Sequence, residues 1–389
     1  MLQTPLECTK EQINGGRNNG HYLLWLTCGM RLFLTTIACI TMSVLLEAQN
    51  SKLIVGTYTT NSKSKGIYVF DFNSQTGKAS LTSTVAAADP SFLALSPDKR
   101  FLYAVNELGE DKGGGTISAF SFDPSKGQLK LINQQSTQGN HPCYVSIDKK
   151  GKTVFAGNYS SGNLASFRVT KEGGLNPAAI TVKHTGSGPV KERQEAPHVH
   201  STVLSPDNRW LFVADLGTDK IYAYPFDAAS GTLSAKAVET SVPAGAGPRH
   251  MTFNKTGTRL YVVAELNGAV LVYERKEGKL THLQTIHSLP EDKQSPANSA
   301  DIHLSPDGKF LYATHRINNT IAVFAVAAKT GHLTHIETVP TNGHIPRNFT
   351  IDPTGNFLLV AHQNSDNIVV FKRDSKTGKL TDTGERIEA

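Results

Sequence analysis

From Lys52 onward the chain alternates short apolar bursts with polar turns at a nearly constant interval. Leu95-Ser-Pro-Asp-Lys-Arg-Phe-Leu-Tyr-Ala-Val-Asn-Glu107 serves as the reference copy, and the same grammar returns at 147–159, 204–216, 253–265, 304–316 and 351–363. The copies start 47 to 57 residues apart. Each one reads as a strand, a turn of Ser-Pro-Asp type and an apolar strand, followed by a third strand such as 116–122 and, past a turn such as Thr377-Gly-Lys-Leu380, a fourth. Four antiparallel strands in about 50 residues make one propeller blade.

The segment Lys52 to Tyr58 fits the second strand of this pattern, so there are seven second strands but only six inner ones. The expected fold is therefore all-β, a seven-bladed β-propeller of four-stranded blades whose first blade lacks its inner strand. Propeller rings usually close by joining strands from the two chain ends, which removes an exposed edge. With the sequence stopping at Glu388-Ala389, either the first blade has three strands or about one strand is missing from the C-terminus, and the second reading is favoured.

Residues 1–49 follow a different pattern: Arg31 precedes an uncharged run from Leu32 to Leu46, and Glu47-Ala48-Gln49 follows. This is the layout of a secretory signal. The expected organisation is a start-site extension plus signal peptide over 1–49, with Met30 as the true initiator and cleavage after Ala48, and one propeller domain over 50–389. The protein is then exported, periplasmic or secreted, without stable membrane association; if the signal is misread, it is cytoplasmic. Cys8, Cys28 and Cys39 lie in the front segment, which leaves Cys143 alone in the propeller and excludes a disulfide framework or a C-x-x-C metal site there. The net charge of +6 comes from scattered basic residues, which favours a small anionic ligand over a nucleic acid. A closed ring with few edges is expected to be a monomer.

Aligning the copies places residues in space. Four positions before the anchor, at the start of the inner strand, stand Ser91, Cys143, His200, Arg249, Ala300 and Arg347. Twelve after it, at the end of the second strand, stand Tyr58, Glu107, Tyr159, Leu216, Glu265, Arg316 and Gln363. Antiparallel neighbours bring both columns to one mouth of the channel. Elsewhere the repeats are monotonous, whereas these columns change from blade to blade, as a site grafted onto a rigid frame would. Arg249, Arg316 and Arg347 form an anion sink, and Glu265 and His200 are the proton-transfer groups. Glu107 is equally well read as a salt bridge or loop cap. His198 and His200 alternate on one strand and could face a metal together, but no zinc-site spacing accompanies them, so neither a metal nor a cofactor is expected.

Val-Gly-Thr-Tyr-Thr at 55–59, Pro-His-Val-His-Ser at 197–201, Gly-Pro-Arg-His-Met at 247–251, Ala-Glu-Leu at 264–266 and the Ser-Pro-Asp turns resemble the lactonase family of seven-bladed propellers. That family includes bacterial 6-phosphogluconolactonases and the carboxy-muconate lactonizing enzymes. The resemblance implies a site of His200, Arg249, Glu265 and Arg316, positions that the alignment of the copies also selects. His250, where the muconate branch has an aromatic residue, favours the lactonase branch. The expected activity is hydrolysis of a sugar-acid lactone, with 6-phosphogluconolactone as the substrate the resemblance suggests. His200, Glu265 and Arg249 are the expected catalytic residues, and Arg316, Arg347, His198, His250 and Glu107 the expected substrate contacts. The rivals are a muconate-type cycloisomerase and a non-catalytic propeller that binds a ligand or a protein.

Overall fold

A computed structural model describes residues 50–60 and 62–389. The expected signal segment and the start at Met30 lie outside the described residues.

Seven antiparallel sheets follow one another around a channel. Blade 1 has three strands, Asn50–Gly56, Gly66–Asn73 and Ala79–Ala86, as the strand count predicts. Blades 2, 3, 5, 6 and 7 have four each, with inner strands Phe92–Leu95, Pro142–Ile147, Pro248–Phe253, Ser299–Leu304 and Pro346–Ile351. Blade 4, with inner strand Val199–Leu204, has a fifth because its outer edge is split between Thr232–Leu233 and Val238–Ser241.

The second strands are apolar on both faces because each sheet is sandwiched between two others. Phe310–His315 is buried at every position. Seven hydrophobic clusters occupy the seven blade interfaces, one of which joins Phe357, Leu359 and Val370 of blade 7 to Phe70 and Phe72 of blade 1. The ring is thus closed by side-to-side packing even though blade 1 has no inner strand.

A tyrosine in the repeated Phe-Leu-Tyr or Leu-Tyr segment adds a polar tie between neighbours. The hydroxyls of Tyr103, Tyr261 and Tyr312 donate to the carbonyls of Gly173, Gly331 and Gly378 in the outer hairpin of the next blade. These glycines have φ of 83°, 77° and 76°, the left-handed region that only glycine enters freely.

The rim that carries the two columns is built by a repeated backbone device. The amide at the end of the second strand donates to a carbonyl just ahead of the neighbouring inner strand: Glu107 to Asp89, Tyr159 to His141, Leu216 to His198, Glu265 to Gly247, Arg316 to Asn298 and Gln363 to Ile345. The register then slips by a bulge at Cys143, His200, Arg249 and Arg347, and over two residues, Ala300 and Asp301, in blade 6. A bulge re-aims a side chain without disturbing the sheet behind it. In blades 3 to 7 the variable column is therefore the bulge column.

Candidate functional site

Glu265 is the hub of the rim. Its Oε2 lies 2.8 Å from Arg249 Nε and 2.9 Å from Arg316 Nη2, its Oε1 is paired with Arg193 Nη2, and His200 Nε2 stands 3.8 Å away. Burial alone would raise the carboxyl pKa, but Arg316, Arg249 and Arg193 bring it down to about 2. A carboxylate so stabilised is a poor proton acceptor near neutrality and a strong organiser of guanidinium groups. Arg316 also donates from Nε to the Asn298 carbonyl at 3.0 Å. Burial, partly offset by Glu265, lowers its pKa to about 10.

The two imidazoles of the site are kept uncharged themselves. His200 is buried, its Nδ1 3.6 Å from the thiol of Cys143. Burial, together with Arg249 and His250, pushes its pKa well below the ordinary value. His250 lies beside it, ring centres 5.4 Å apart, and burial followed by Arg249 lowers its pKa to about 4. Both are therefore neutral near pH 7. Burial raises the Cys143 thiol pKa, and Glu107 adds to this.

A cavity of about 810 Å³ opens on this rim, lined by Tyr58, Ser91, Glu107, Cys143, Arg249, His250, Arg347 and Asn348, and runs along Val55–Thr57 of blade 1. Arg347 forms no ion pair among the described residues. Its guanidinium lies over the Tyr58 ring, 5.5 Å from the centroid, and Nη1 donates to Gln363 Oε1 at 3.4 Å. Tyr58 in turn donates to Glu107 Oε2 at 2.8 Å. A neighbouring hollow of about 590 Å³ shares Arg347 and adds Arg316 and His344.

The structure thus gathers His200, Arg249 and Arg316 around the Glu265 carboxylate, and His250, Arg347 and Glu107 around the adjoining cavity. His198 stands aside: its ring stacks on Tyr159 at 4.4 Å, Nδ1 meets the Tyr159 carbonyl at 3.1 Å and Nε2 meets Glu195 at 3.1 Å. Among the described residues no three His, Cys, Asp or Glu side chains are grouped as metal ligands.

Two residues of the site are absent from the aligned columns. Arg193 comes from the connection between Lys183 and Val199, which crosses the rim to reach Glu265, Asn298 and Tyr159. The sequence signal for it is the widest gap between copies, Ile147 to Leu204. Asp301 receives the Nδ1–H of His250 at 2.8 Å. Ala300 occupies its aligned position because the irregularity in blade 6 is one residue longer.

The family model of seven-bladed beta-propeller lactonases matches residues 52–389. A Formosa agariphila protein named 6-phosphogluconolactonase is 42% identical over 305 residues, covering 77% of this chain and 86% of the relative. A Bacillus subtilis protein of the same name is 35% identical over 303 residues, covering 77% and 84%. Among solved structures, the periplasmic gluconolactonase of Pseudomonas aeruginosa superposes with a TM-score of 0.82 at 36% identity, covering 87% of this chain and 96% of its own.

Proposed function

This chain belongs to the family of seven-bladed β-propeller lactonases and is a lactone hydrolase, and we propose that it opens a sugar-acid lactone, 6-phosphogluconolactone in the first reading, in the cavity beside Arg249. The observation that carries the assignment is the contact of Arg249 with a neutral imidazole at that cavity. Arg249 Nη1 lies 3.2 Å from His250 Nε2, so an oxyanion stabiliser and a proton acceptor stand side by side.

In this reading the lactone carbonyl points at Arg249, whose buried guanidinium stabilises the oxyanion that forms when water attacks. An imidazole of the His200 and His250 pair takes the proton of that water. Glu265 holds Arg249, Arg316 and Arg193 in place and is not the base, because three guanidiniums have removed its basicity. Arg347 is free to bind the phosphate. Names of the relatives support hydrolysis over ring closure.

An unphosphorylated gluconolactone is the second reading, favoured by the likeness to the periplasmic gluconolactonase. It also suits an exported protein, since sugar phosphates are mostly cytoplasmic.

The test is a panel of 6-phosphogluconolactone, gluconolactone and a muconolactone, with acid release followed after subtracting spontaneous opening. The expected result is fastest opening of the phosphorylated lactone. Opening of gluconolactone alone would support the second reading, and rates equal to buffer for all three would refute both.

A further inference from the structure

His250 packs among residues of four other blades. It is on blade 5, yet its ring meets Phe92 of blade 2 at 5.6 Å, Tyr144 of blade 3 at 5.2 Å and His200 of blade 4 at 5.4 Å, all edge to face. Its fourth side is closed by Asp301 of blade 6, which takes the Nδ1 proton at 2.8 Å.

Asp301 is fixed from behind. Its Oδ2 accepts from Asn348 Nδ2 at 2.6 Å, the Phe349 amide at 3.1 Å and His303 Nε2 at 3.0 Å, and its Oδ1 also accepts from the Ile302 amide at 2.9 Å. The carboxylate is 2% exposed and lies well below its ordinary pKa, because His303 and His250 outweigh the burial that would raise it. It is therefore an acceptor only, and the nitrogen facing it must carry a hydrogen. The other ring nitrogen, Nε2, is then a lone pair. Arg249 Nη1 donates toward it at 3.2 Å, which a protonated nitrogen could not receive. Two independent neighbours thus specify one tautomer, and His250 lines the cavity while His200 does not.

We propose that Asp301 is the positioning residue of the lactonase site, holding His250 as the Nδ1-protonated tautomer so that Nε2 is the proton acceptor in lactone opening. The inference rests on the lactone reading given above and names the base within it. Once the lactone carbonyl oxygen takes the Arg249 Nη1–H in place of Nε2, water loses a proton to His250 Nε2 while its oxygen bonds to the lactone carbonyl carbon, and the carbonyl electron pair moves onto oxygen beside Arg249. Collapse of that oxyanion breaks the ring C–O bond. The leaving oxygen takes the proton back from Nε2, leaving a hydroxy acid and neutral His250. Asp301 is never protonated; it stabilises the imidazolium in passing and fixes the ring.

Asp301→Asn is the direct test, because an amide can turn its N–H toward Nδ1 and shift the hydrogen to Nε2. Turnover of the lactone that the wild type prefers is expected to fall about 100-fold or more in kcat, with KM within about 3-fold. Nitrogen-15 spectra of histidine-labelled wild-type protein at neutral pH are expected to show His250 protonated at Nδ1, and those of Asp301→Asn at Nε2. The groups facing His250 in this experiment are Arg249, Asp301, His200 and Tyr144, with His303 beyond Asp301.

Unchanged kcat in folded Asp301→Asn, or a wild-type His250 protonated at Nε2, would overturn the inference. The wild-type spectrum decides the tautomer even if the variant does not fold. Wild-type protein that opens no lactone would overturn the functional reading, and this inference with it. A wild type that turns over while Asp301→Asn matches it would overturn the inference alone.

Discussion

Arg249 and Glu265 meet through Nε and Oε2 at 2.8 Å with each side chain only 2% exposed. They come from the bulge of an inner strand and the end of the strand beside it, so the backbone of blade 5 sets their separation before any substrate arrives. A buried pair of this kind says little about net stability, since desolvation offsets much of the attraction, but removing one partner leaves a charge without compensation.

Glu265→Gln would leave Arg249, Arg316 and Arg193 crowded without a counter-charge. Chemical denaturation is expected to show a loss of about 3 kcal/mol or more, with activity falling because Arg249 is no longer held. Unaltered stability would mean that the three guanidiniums do not depend on this carboxylate.

Arg347→Gln tests the substrate anion. If the guanidinium receives the phosphate, KM for 6-phosphogluconolactone is expected to rise about 10-fold or more, as loss of a charge-assisted hydrogen bond of about 1.5–3 kcal/mol implies. KM for gluconolactone should barely move. Equal effects on the two lactones would take the phosphate away from Arg347.

Acid should destabilise the ring from two groups whose folded pKa values are depressed. His250, at about 4 in the fold against about 6.5 in an unfolded chain, must be protonated on unfolding. Its contribution is complete above pH 6.5 and lost as the pH falls toward 4. Glu265, at about 2 against about 4.3 unfolded, adds a second loss between pH 4.3 and 2. Each is on the order of 3 kcal/mol. Urea midpoints measured from pH 8 to pH 2 are expected to fall below pH 6.5 and again below pH 4.3, and a flat profile would contradict these environments.

Gly378→Ala probes the tie between blades 6 and 7. Gly378 has φ of 76°, and a Cβ there would stand 2.3 Å from the Phe310 ring. A loss of about 1–3 kcal/mol is expected, without change in KM, because the outer hairpin is remote from the rim. Tyr312→Phe, which removes only the hydroxyl that donates to Gly378 at 2.8 Å, should cost about 1 kcal/mol.

The repeats made the fold readable, since each blade writes the same turn and strand grammar and a missing inner strand shows as a missing copy. The same alignment found Cys143, His200, Arg249 and Arg347, because each is the bulged residue of its blade and alignment by anchor keeps bulges in step. Asp301 escaped it because the slip in blade 6 covers one more residue, a length that no residue type announces. Arg193 escaped it because a connection without a counterpart in other blades has no column to stand in. The part played by Glu265 was hidden for a different reason: sequence places a carboxylate there, but only the convergence of Arg193, Arg249 and Arg316 shows that its basicity is removed.

The central claim is that the Arg249 rim opens lactones, and the most direct measurement is the initial rate of lactone opening by wild-type protein and by Arg249→Met at pH 7, corrected for spontaneous opening. The account predicts a wild-type rate far above background and a kcat lowered about 100-fold or more in the variant, as loss of an oxyanion donor implies. A folded Arg249→Met protein that opens the lactone as fast as wild type would contradict it.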